Sequence, residues 1–163
     1  MAAHPRAALG WALATTLLVT VLLGGCARSS GPEVAPAACT GGGPSQRVAS
    51  MRAALRRAPA PVRLRDGTSI SDCLAQDAGS GDIETVGSML LTVTQQLVDE
   101  ARSRGGRPAL VELGYLMGAV HRGAARAQGV DDEIERRIEQ EMSAVDTRSP
   151  AFLRGQRAGR RTG

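Results

Sequence analysis

Residues 82–103 read DIETVGSMLLTVTQQLVDEARS, and the spacing of their apolar positions decides the fold class. Ile83, Val86, Leu90, Val93 and Leu97 recur every three or four residues, which aligns them on one face of an α-helix, and Met89 widens the stripe. Asp82 is placed to cap the helix start. Arg102 and Arg104 complement the negative end of the helix dipole, and Gly105-Gly106 stops the run.

Working outward, Pro108 suits the first turn of a second helix that runs to about Gln128, with Leu113, Leu116, Met117 and Val120 on its buried stripe and Gly129 ending it. Asp131 or Asp132 starts a third, in which Ile134, Ile138, Met142 and Val145 line one face. Glu135, Arg136, Arg137, Glu139, Gln140 and Glu141 form its solvated face. Upstream, Ser45 can cap a helix to Ala58 carrying Val48, Met51 and Leu55, ended by Pro59 and Pro61. Its opposite face holds Arg47, Arg52, Arg56 and Arg57, suited to solvent or to anionic headgroups. Between these lies Val62 to Ile70, where alternation around Asp66-Gly67 indicates a turn with at most two very short strands. Ser69 or Ser71 then caps a short helix holding Cys73 and Leu74, and Ser69 with Asp72 has capping-box spacing.

Short connections make successive helices antiparallel neighbours, so the expected fold is mainly α, a small bundle of three to four helices over residues 45–146. Residues 26–44, rich in Gly, Pro, Ala and Ser, are expected to form a flexible tether. Residues 147–163 hold Arg148, Arg154, Arg157, Arg160 and Arg161 with no acid, and are expected to be a disordered basic tail that also carries Phe152 and Leu153.

The first 26 residues, MAAHPRAALGWALATTLLVTVLLGGC, place Arg6 before an apolar run from Ala7 to Leu23, followed by small residues, the layout of a secretory signal over residues 1–25. Leu23-Gly24-Gly25-Cys26 resembles the lipobox of bacterial lipoproteins. That resemblance implies cleavage after Gly25, a diacylglyceryl group on the Cys26 sulfur and a lipid-anchored chain on the extracytoplasmic face of the cell membrane. The alternatives are an uncleaved anchor helix or a soluble secreted protein. Pro61 to Cys73 (PVRLRDGTSISDC) and Leu113 to Gly129 (LGYLMGAVHRGAARAQG) also resemble small exported proteins of high-GC actinobacteria, a likeness that implies no catalytic residues.

With Cys26 taken by lipid, Cys39 and Cys73 remain, an even number in an oxidising compartment. A structural disulfide is the expected state, with free thiols or a redox pair as the other readings. The chain's 20 basic residues are all Arg, its aromatics are Trp11, Tyr115 and Phe152, and its histidines are His4 and His121. Absence of Lys excludes a Schiff-base lysine and a GxxxxGK[ST] phosphate loop, and three aromatics cannot build a base-stacking platform. Gly114 and Gly118 form a GxxxG step that lets another backbone approach closely. Packing of the two long helices is the first reading, homodimerisation the second, and Tyr115 between them is core or a partner's anchor.

His121 is read as ordinary surface or interior, since it is the one His expected in the mature chain and no Cys or carboxylate cluster accompanies it in sequence, and no metal or other cofactor is expected. No Gly-x-Ser-x-Gly elbow supports a nucleophilic triad. Glu112 with Asp99 or Glu100 is the carboxylate pair an exported hydrolase could use. The expected function is a non-catalytic, lipid-anchored binding or structural module whose partners are the membrane and an envelope protein or cell-wall polymer. Export argues against nucleic acid, and the net charge of +4 is modest.

Overall fold

A computed structural model of the chain describes residues 35–74, 79–126 and 130–163. Leu23, Gly24, Gly25 and Cys26, with the whole signal segment, lie outside the described residues. The described chain is mainly helical: α1 (Ala37–Thr40), α2 (Pro44–Leu55), α3 (Ser80–Arg102), α4 (Arg107–Ala124), α5 (Val130–Glu141) and α6 (Pro150–Thr162), with short 3-10 turns at Ile70–Cys73 and Met142–Ala144. No strand occurs among the described residues.

Helix α3 buries the stripe its sequence announces, with Val86, Met89, Leu90, Val93 and Leu97 all inside. It begins at Ser80, before the expected cap. Asp82 sits in its first turn, where the carboxylate accepts the Ala35 N–H at 3.3 Å. Gly105, at φ 88°, turns the chain between α3 and α4, and Pro108 lies in the first turn of α4 as expected. Helix α2 starts two residues early, with Gly43 and not Ser45 at its N-cap, because Pro44 supplies the φ that a first helical position wants. It ends at Leu55, short of Ala58, whose following proline disfavours helical backbone.

Helix α4 is the axis of the domain. Residues 111–120 are buried without interruption, against α3, α5, α6 and the Ile70–Cys73 turn. Fully buried leucines such as Leu90, Leu97, Leu113 and Leu116 each contribute about 1.5–3 kcal/mol by leaving water.

Two expectations at the chain's flanks are corrected. The described part of the 26–44 segment is folded: Ala35 and Cys39 are buried, and a disulfide holds α1 to the body. Residues 147–163 are likewise structured, and α6 has the most extensive contact with α4 of any element. Ser149 caps α6 by accepting the Phe152 N–H at 3.3 Å, and Pro150 occupies its first position. Ala151, Phe152, Gly155, Ala158 and Gly159 face inward, whereas Arg154, Arg157 and Arg161 face water. The arginines form only one side of an amphipathic helix.

Between α2 and α3 the chain makes a tight turn, closed by the Thr68 carbonyl accepting from Leu64 N–H at 2.9 Å, with Gly67 at φ 88°. The Asp72 carboxylate then accepts the Ser69 N–H at 3.2 Å, in the capping box the spacing predicts.

Candidate functional site

Cys39 and Cys73 are joined by a disulfide across 34 residues, with their Cα atoms 5.6 Å apart. Both are buried, so the bridge is internal. It fastens α1 to the turn that precedes α3.

The GxxxG step of α4 meets a different partner from the expected one. A Cβ at Gly114 would collide with the Phe152 carbonyl, and one at Gly118 with the Gln156 carbonyl, both on α6 and not on α3. The relation is reciprocal: a Cβ at Gly155 would collide with the Val111 carbonyl, and one at Gly159 with the Tyr115 carbonyl. Four glycines therefore form one seam in which two backbones touch, with α-hydrogens facing carbonyl oxygens. The seam occupies the surface that the homodimer reading required. Tyr115 is core: its ring is fully buried, and its hydroxyl accepts the Val62 N–H and meets Thr162 Oγ1, each at 2.9 Å.

The end of α6 is held by polar groups from three other segments. Ser71 donates to the Gly163 carbonyl at 2.7 Å and Arg63 to the Thr162 carbonyl at 2.8 Å. Arg122 donates to the carbonyls of Arg160 and Arg161. Cationic donors at a helix C-terminus satisfy its free carbonyls and oppose its dipole.

Beside this helix end lies the group with the most varied chemistry. His121, from the last turns of α4, projects between α5 and α6. Its Nδ1 is 2.8 Å from Arg160 Nη2 on α6, while its Nε2 is 2.8 Å from Glu135 Oε1 and 3.8 Å from Glu139 Oε1 on α5. One ligand atom from each of His121, Glu135 and Glu139 can be chosen within 4.8 Å of one another. This corrects the reading that His121 lacks a carboxylate cluster, because the acids come from another helix. Glu135 and Glu139, four apart on the face of α5 read as merely solvated, carried the available sequence signal. Arg160 lay hidden in the presumed tail. A cavity of about 330 Å³ adjoins His121 and Glu139, lined also by Met117, Met142, Thr147 and Gln156.

The carboxylate pair considered for hydrolysis is brought together on a cation. Arg52 of α2 binds Glu112 at 2.8 Å and also Glu100, while Asp99 is exposed. Burial pushes the Glu112 carboxyl above its ordinary range, against the pull of Arg52 and with the push of Glu100. Held by a guanidinium, the pair serves to join α2, α3 and α4.

No family model, curated protein or solved structure matches the chain. No helix among the described residues is long and apolar enough to cross a membrane.

Proposed function

We propose that this protein is a lipid-anchored, non-catalytic helical module of the bacterial cell envelope, displayed on the extracytoplasmic face of the membrane. The observation that carries the reading is the partition of its three cysteines. Cys39 and Cys73 are spent on a buried disulfide, a bond that persists in oxidising compartments. Cys26 stands where a lipobox places the acylated residue, after Leu23-Gly24-Gly25 and an apolar run. Two or more acyl chains anchor stably, since each buried methylene contributes about 0.8 kcal/mol.

The exposed side of α6, with Arg154, Arg157 and Arg161, supports an anionic partner such as a cell-wall polymer or an acidic envelope protein. Burial of Tyr115 and engagement of Glu112 and Glu100 by Arg52 weigh toward binding over catalysis. Intact mass of the chain extracted from membranes tests the anchor. The expected species begins at Cys26 and carries a diacylglyceryl group, and Cys26→Ser should accumulate unprocessed. An unmodified N-terminus, or normal processing of Cys26→Ser, overturns the reading.

A further inference from the structure

His121, Glu135 and Glu139 pose a question that the anchoring reading does not answer. Helix packing brings an imidazole from α4 against two carboxylates one turn apart on α5, and these are ligand types that first-row divalent ions use. Tetrahedral zinc with bonds of about 2.0–2.2 Å sets its ligand atoms roughly 3.3–3.5 Å apart. The two contacts of Nε2, 2.8 Å to Glu135 and 3.8 Å to Glu139, bracket that separation. The two carboxylates would neutralise a divalent charge, and the adjoining cavity leaves room for water as a fourth ligand.

Two further observations bear on the imidazole. Nε2 is shut off from solvent, yet neither neighbouring oxygen meets it in hydrogen-bond geometry, so a buried polar atom is left without a partner. On the other edge of the ring, Arg160 can only donate, so Nδ1 is the acceptor and a neutral ring carries its proton on Nε2. Arg160 thus holds the imidazole in the tautomer that cannot ligate through Nε2. It is itself exposed and has solvent to move into.

We infer that His121, Glu135 and Glu139 form a binding site for a divalent transition metal, with zinc as the ion best suited to the ligand set, and that Arg160 competes with the metal for the imidazole. When zinc binds, the Nε2 proton leaves to water, Nδ1 takes one up, Arg160 turns to solvent, and the ring stays neutral. The ion then pins α5 to α4. This site is independent of the lipid anchor.

The test is calorimetric titration of the metal-free full-length chain in detergent with zinc, and optical titration with cobalt, whose visible spectrum reports tetrahedral coordination. One equivalent is expected to bind saturably. Glu139→Gln, a change at an exposed residue, should weaken zinc at least tenfold, and His121→Ala should do the same with the helical circular dichroism retained. Arg160→Gln should tighten zinc severalfold, an effect that adsorption to scattered surface acids would not produce. Absence of saturable binding in both the native chain and Arg160→Gln overturns the site, as does affinity unchanged by Glu139→Gln. Zinc binding no tighter in Arg160→Gln than in the native chain overturns the competition.

Discussion

The Tyr115 hydroxyl accepts the Val62 amide hydrogen at 2.9 Å, and both residues are fully buried. One side-chain oxygen thereby satisfies a backbone donor that has left water, and it also reaches Thr162 at the end of α6. Tyr115→Phe would keep the ring and orphan the Val62 N–H, at a cost of about 1–3 kcal/mol. Urea unfolding of the two proteins measures it, and a loss well below that range would mean the amide had found another partner.

The glycine seam is less forgiving. Alanine normally improves on glycine inside a helix by about 1 kcal/mol. At Gly118 or Gly155 the added methyl would meet the backbone of the opposing helix, which has no rotamer to change. Gly118→Ala and Gly155→Ala should each lower stability by a net of about 1–3 kcal/mol through overpacking. Gly81→Ala provides the control, because nothing lies near its missing Cβ, and there the change should be neutral or stabilising. Melting temperatures of the three variants decide the point.

Reducing the Cys39–Cys73 bond, or replacing both residues with Ser, releases a loop closed across 34 residues. On the chain-entropy account the loss is at most roughly 3.5–4 kcal/mol. Thermal unfolding with and without reductant measures it, and a denatured, unreduced sample should show neither thiol reactive.

Stability should also carry an unusual acid-side signature at Glu112. Its carboxyl is raised in the folded state, chiefly by burial, so the folded protein keeps this proton to higher pH than the unfolded chain does. The associated stability is fully present below the ordinary glutamate range and is lost as pH rises through the raised value. Asp72 acts in the opposite sense: despite partial burial, hydrogen bonds from Ser69 and the nearby Arg126 lower its carboxyl. Its contribution is present above the ordinary aspartate range and is lost as pH falls through the lowered value. Comparing native protein with Glu112→Gln isolates the first effect: the native chain should lose stability relative to the variant as pH rises through and above the ordinary glutamate range. A difference that is flat with pH would reject it.

How legible this molecule is in its sequence differs by element, for identifiable reasons. Helices α3 and α4 are clear because Leu90, Leu97, Leu113 and Leu116 repeat at helical spacing and Gly105-Gly106 separates them. Helix α6 is missed because five arginines dominate the composition of its stretch. The inward spacing of Ala151, Phe152, Gly155, Ala158 and Gly159, and the Ser149-Pro150 start, were present beneath them. The same oversight misdirects Gly114 and Gly118, whose matching small residues lie in that stretch. The His121 group is hidden for a different reason. Glu135 and Glu139 are readable as neighbours on α5, but their approach to a histidine on α4 depends on how two helices pack, which no local pattern encodes.

The α4–α6 seam also bears on the order in which the domain can form. The small-residue face of α4 is synthesised before its cover, and the surface that covers it comes from a helix whose contacting residues, Gly155 and Gly159, are made some forty positions later. Until then the centre of the domain has one uncovered side. Nascent or truncated chains lacking α6 therefore expose an apolar face that aggregation and proteases can act on, and this side of the core closes only once the strongly basic α6 is made.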